Sequence, residues 1–144
     1  MKVEDEVLKE LNALRSSVSG VEGCVVATSD GLLVAHVLPE QDQEQSQVAA
    51  LIATMTAVAR QAVLLTGRGE LLEAAIRGTS GYLAVYAVGD SAVLAVLGRP
   101  NVNIALLQLR TRPVVTRLNA LAAGFTRFSS GPALAGAALQ KSGR

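Results

Sequence analysis

"GRGELLEAAIRGTSGYLAVYAVGDSAVLAVLG", residues 67–98, contains three short apolar runs separated by two tight-turn signals. The runs are "ELLEAAIR", "YLAVYAV" and "AVLAVL", and the turns are Gly78-Thr79-Ser80-Gly81 and Gly89-Asp90. Glycine, serine and aspartate supply the backbone freedom and local hydrogen bonds that such turns need. Each run has strand length and is too short for a stable isolated helix, so the stretch predicts an antiparallel meander. The last two runs are apolar at nearly every position, as in central strands covered on both faces. The first carries Glu70, Glu73 and Arg77, the charge pattern of an edge strand.

Upstream, "VEGCVVATS" and "LLVAHVL" are two more Val- and Leu-rich runs, and Ser29-Asp30-Gly31 between them reads as the turn of a hairpin. Val7, Leu8, Leu11, Leu14 and Val18 recur at helical spacing, predicting an amphipathic helix over residues 4–18 that Gly20 ends. After Pro39 and the polar run "EQDQEQSQ", residues 44–66 read as a second helix, closed by Gly67 and Gly69. Its expected inner face is Val48, Ile52, Met55, Ala59 and Val63. The opposite face, Gln47, Ala50, Thr54, Ala57 and Gln61, is small and uncharged, where an outward helix normally carries charge. That face predicts packing on both sides. Downstream, Asn101 after Pro100 reads as the N-cap of a third helix, with Ile104, Leu107, Val114, Leu118 and Leu121 recurring up to Gly124 and Pro113 as a kink.

The expected fold is therefore α+β: a five-stranded antiparallel sheet with helices on both faces, in the order α-ββ-α-βββ-α. Residues 1–124 form one domain and residues 125–144 a flexible C-terminal tail. The chain has 144 residues, half of them hydrophobic and 17% charged, enough for one sizeable core and too apolar for global disorder. A single cysteine, Cys24, rules out an internal disulfide and fits a reducing cytoplasm. No acid follows Asp90, so the C-terminal part is basic, yet two Tyr, two Phe and no Trp offer little for stacking bases. Nucleic acid is not an expected partner. The stretch "AALIATMTAVARQAVLLTG" contains Arg60 and Gln61, and membrane insertion is not expected either.

The order of elements resembles the Roadblock family of dynein light chains and bacterial MglB-type gliding-motility regulators, over Val3 to about Gly124. The matching stretches are "GVEGCVVATSDGLLVA", the 67–98 meander and "PNVNIALLQLR", and the chain looks most like the short Roadblock proteins of actinobacterial conservon operons. The resemblance implies a profilin-like sandwich that forms a homodimer. In it the strand after helix two pairs with its twin and the two copies of helix two lie side by side. The interface would then take Gln47, Ala50, Thr54, Ala57 and Gln61 from the helix and Leu72, Glu73, Ala75 and Arg77 from the strand. It further implies a scaffold or regulator of a small Ras-like GTPase, placed near a membrane-bound sensor kinase complex through partners. Pro113 departs from the regular last helix that the family leads one to expect.

Catalytic and cofactor chemistry find no support in the residues. Ser29 and Asp30 lack a plausible catalytic companion, since His36 is the only histidine. One His and one Cys on neighbouring strands do not make zinc-ligand spacing. "GRGELLEA" and "GTSGYLA" are glycine turns without the lysine of a phosphate-binding loop, so no nucleotide cofactor is expected. A regulator can instead supply an arginine to a GTPase in trans. Arg60 and Arg68 are the candidate partner-facing residues; the plainer roles are for Arg68 to cap helix two and for Arg77 to pair with Glu73 or its dimer mate. A second expectation, from another class, is a small-molecule sensor of profilin- or PAS-like architecture, with Tyr82 and Tyr86 as its polar groups.

Overall fold

The computed structural model describes residues 2–39 and 44–129, with side chains through Phe125. Eight elements follow one another: α1 (Val3–Ser17), β1 (Val21–Thr28), β2 (Leu33–Val37), α2 (Gln45–Leu65), β3 (Glu73–Gly78), β4 (Gly81–Val88), β5 (Ala92–Gly98) and α3 (Ile104–Ser129). The strands form one antiparallel sheet in the order β2-β1-β5-β4-β3. This is the expected α-ββ-α-βββ-α architecture. The two hairpins join through β1 and β5, in register from Gly23 opposite Leu97 to Thr28 opposite Ala92, with a register shift between Gly23 and the Val21–Gly98 pair. The strand latest in the chain thus lies in the middle of the sheet.

Each face of the sheet buries a different set of side chains because strand residues alternate between faces. On one face α1 and α3 pack Val7, Leu11, Leu14, Leu107, Val114, Leu118 and Phe125 over Cys24, Val26, Ala84, Leu94 and Val96. On the other face α2 presses Ala49 and Ile52 onto Val25, Ala27, Val85, Val93 and Ala95. The second core is smaller, and α2 covers it with Ala49 and Ile52, flanked by half-buried Val48 and Met55.

Ser29-Asp30-Gly31 is a structural turn, as its residues suggested. Gly31 has φ +92°, and a Cβ there would meet the Cα of Ala50 at 3.3 Å, so glycine is required twice over. The Ser29 hydroxyl donates to the Asp90 carbonyl at 2.8 Å, and the Ser29 N–H donates to the Ser91 carbonyl at 2.8 Å. The turn of the β1–β2 hairpin is thereby tied to the β4–β5 turn at the same end of the sheet.

Several expectations need correction. Of the expected inner face of α2, Ile52 is buried and Val48 and Met55 pack half-buried on the same core, while Ala49, Ala53 and Thr56, which that face did not include, are buried beside them. The third helix starts after Asn103, whose side-chain oxygen accepts the Leu106 N–H at 3.0 Å; Asn101 lies outside the helix. α3 also continues past Gly124 to Ser129, and Phe125, assigned to the tail, is 0% exposed. Residues 130–144 of the expected tail lie outside the described residues. α3 runs through Pro113 without interruption. Proline lacks the N–H that would serve the Leu109 carbonyl, and Leu109 is an exposed residue of the helix.

Candidate functional site

The side of α2 that faces away from the sheet carries the surface most in need of a partner. Gln47, Ala50, Thr54, Ala57 and Gln61 are all exposed, as expected. Between them stand large apolar side chains that the sequence reading had not singled out: Leu51 is 63% exposed, Val58 64%, Leu64 66% and Leu65 81%. Gln47, Leu51, Thr54, Val58, Gln61 and Leu65 recur at alternating steps of four and three, the spacing of a seam between two helices. By length and composition α2 also passes as a membrane span, with a mean hydropathy of 1.8, which Arg60 and Gln61 had seemed to forbid. The burial of Ala49, Ile52, Ala53 and Thr56 on the sheet makes it a wall of this domain.

β3 continues this surface. Glu73 and Ala74 are half-buried, while Ala75 to Gly78 are exposed, and among the described residues no strand pairs with the outer edge of β3. Leu72 just before it is 75% exposed, and Ile76 is 47% exposed. The other sheet edge is handled differently. β2 is five residues long, lies beside a register shift at Val26/Ala27 and is followed by Pro39, three devices that blunt strand pairing. β3 has none of them.

The arginines divide in their roles. Arg60 donates from Nη2 to the Gly89 carbonyl at 2.7 Å and lies 3.9 Å from the Asp90 carboxylate, so it braces α2 against the β4–β5 turn. The Arg68 N–H donates to the Val63 carbonyl at 2.8 Å and the Gly67 N–H to Leu64 at 3.1 Å, with Gly67 at φ +69°, a two-bond cap that closes α2. The capping role foreseen for Arg68 belongs to its backbone. Its side chain is exposed, as is that of Arg77. Within the chain Arg77 does not pair with Glu73, whose carboxylate accepts a hydrogen bond from Gln108 Nε2 at 2.5 Å.

Tyr82 and Tyr86 are 8% and 5% exposed and belong to the core under α3. A recess of about 350 Å³ between the end of α2 and the β4–β5 turn is lined in part by Arg60, Leu64, Leu72 and Asp90. Among the described residues no group of three or more His, Cys, Asp or Glu side chains stands together.

Two buried acids make the fold sensitive to alkali. Burial pushes the Cys24 thiol from 9.0 up to about 12, against a smaller opposing pull from Arg15. Burial likewise pushes the Tyr86 phenol from 10.0 up to about 12. Both groups fold in their neutral form, so their contribution is complete below the unfolded values and is lost as pH rises toward 12. The urea midpoint should fall over that interval, and Cys24→Ala should make the fall shallower. An equal fall in the variant would remove Cys24 from the account.

The described residues present an apolar helix face and an open strand edge. The chain belongs to the Roadblock/LC7 domain family, whose model matches residues 7–98. It is similar to two uncharacterized proteins of Methanocaldococcus jannaschii, each 27% identical over 117 residues that make up 81% of this chain and 97% of theirs. Its fold is shared by Myxococcus xanthus MglB, at 19% identity and TM-score 0.75, over 82% of this chain and 95% of that one. A Roadblock/LC7 domain from Streptomyces avermitilis shares it at 22% identity and TM-score 0.73, over 80% and 96%. Family membership makes the chain a scaffold and not an enzyme.

Proposed function

We propose that the chain is a homodimeric, non-enzymatic regulator or scaffold that binds a small Ras-like GTPase and modulates its nucleotide cycle or its localisation. The observation that carries the homodimer is the set of exposed apolar side chains, Leu51, Val58 and Leu65 on α2 and Leu72 and Ile76 beside β3, with Leu64 and Leu72 lining one recess between helix and strand. A two-fold axis would bury the same patch on both copies at once, satisfying an apolar helix face and an unpaired strand edge in one contact. Gln47, Ala50, Thr54, Ala57 and Gln61 would then line the helix seam, and Leu72, Glu73, Ala75 and Arg77 the strand seam.

The GTPase part of the reading rests on the Roadblock family and on the fold shared with MglB. Arg60 and Arg68 stand at the rim where α2 ends, and we assign them to the partner-facing surface. A cytoplasmic protein recruited to a membrane through its partners fits a chain whose only thiol is free and buried. The narrower placement, beside a GTPase in a conservon operon and near a sensor kinase, belongs to the same proposal. Light scattering on the protein alone and mixed with the neighbouring GTPase, in GDP and GTP-analogue forms, tests it. A dimer that gains mass with one nucleotide form is expected; a monomer, or a dimer that ignores both forms, overturns the corresponding half.

A further inference from the structure

On the face opposite α2, α3 packs mainly over β4 and β5. Between it and the start of β3 lies a recess of about 440 Å³, lined in part by Leu72, Glu73, Tyr86, Arg112 and Val115. Gln108, Arg112 and Thr116 recur at steps of four, so they stand in line along one side of α3. The Gln108 Nε2 group donates to the Glu73 carboxylate at 2.5 Å, which turns that side toward β3. Leu72 and Val115 give the recess apolar walls, and Tyr86, 5% exposed, reaches it from the core.

Two opposite charges line this recess without meeting. Glu73 and Arg112 form no ion pair with each other or with any other described residue. No acid follows Asp90 in the chain, so α3 offers Arg112 no carboxylate of its own. Gln108 stands one helical turn before Arg112, about 6 Å along the axis, and moors the acid at that level. Its bond to one carboxylate oxygen leaves the other open. An acid on one level, a guanidinium on the next and apolar side chains between them complement a small zwitterion that carries an apolar group.

We infer that the recess between α3 and β3 binds a free α-amino acid with an apolar side chain. Its carboxylate takes two hydrogen bonds from the Arg112 guanidinium, and its ammonium donates to the open oxygen of Glu73. Its side chain lies against Leu72, Val115 and the ring of Tyr86. A dicarboxylate sets a second negative charge against Glu73, and a simple amine leaves Arg112 unmatched, so the two charges together select the zwitterion. Every lining residue comes from one chain, so the site stands apart from the homodimer and from any GTPase.

Titration of the full chain with L-leucine and L-phenylalanine, followed through backbone amide shifts by NMR, tests this. Saturable shifts centred on Leu72, Glu73, Arg112 and Val115 are expected with at least one of the two. Leucinamide, which lacks the carboxylate, and 4-methylpentanoate, which lacks the amine, should each bind roughly tenfold more weakly than leucine or worse, the scale of one lost charged hydrogen-bond partner. Arg112→Gln should weaken the amino acid by a similar factor, and Arg110→Gln, outside the recess, should leave its binding unchanged. An absence of shifts with both amino acids up to about 10 mM, ten times a dissociation constant of about 1 mM, would overturn the proposal. So would binding that survives Arg112→Gln, or that both truncated ligands match. Light scattering on the same samples reports the oligomeric state separately, so a failed site and a failed dimer are told apart.

Discussion

Phe125→Ala should lower the unfolding free energy by about 3–5 kcal/mol, the usual cost of emptying a fully buried aromatic site. The ring is 0% exposed and lies in the same core as Leu11, Leu14 and Leu118. A chain ended after Gly124 should lose at least as much, because the last turns of α3 would go with the ring. Urea unfolding at a fixed protomer concentration measures both, since a dimer's apparent stability depends on concentration. A loss below about 1 kcal/mol would mean that the end of α3 contributes little to the core.

Val58→Asp should convert the protein to a monomer while leaving its helical signal intact. Val58 is 64% exposed in the single chain, so the carboxylate costs the monomer almost nothing. In a two-fold dimer the same change enters twice, near the middle of the helix seam, and buries two like charges without partners. Association should weaken by roughly a hundredfold or more, equivalent to about 2.7 kcal/mol. Sedimentation across a concentration series reads this out, with Ser16→Asp on the exposed side of α1 as the control. A Val58→Asp dimer as tight as the wild type would move the interface away from α2.

What the sequence conveyed and what it withheld follow from how local each cause is. The turns at Ser29-Asp30-Gly31 and Gly89-Asp90 and the edge character of β3 depend on residues within a few positions, and they could be read directly. α2 was harder. Its residues are apolar on most sides, so the helical period separates two faces poorly. Val48, Ile52 and Met55 pack toward the sheet as read, Ala49, Ala53 and Thr56 are buried beside them, and Leu51, Val58, Leu64 and Leu65 lie exposed. Asn101 and Asn103 are equivalent as cap formers, and the Asn103 hydrogen bond to Leu106 decides between them. Phe125 lies one residue beyond a glycine that looked like a terminator, and its burial depends on α1 and the sheet. The expected outer face of α2, Gln47, Ala50, Thr54, Ala57 and Gln61, is exposed, but the leucines and valine between these residues were passed over in favour of their small neighbours.

The sheet order carries a consequence for how the chain comes to be folded. β1 finds its main partner in β5, some seventy positions later in the sequence, and β4 needs the same strand on its other side. A nascent chain that has not yet released residue 98 holds two separate hairpins with no common strand, and α2 has no complete floor to settle on. Its leucines and the bare backbone of β3 are then exposed together for as long as synthesis takes. Closure over so long a loop is slow compared with hairpin formation. The surface proposed for assembly is thus the one most open to mistaken contacts during the protein's making, and the arrival of one late strand ends the first part of that risk.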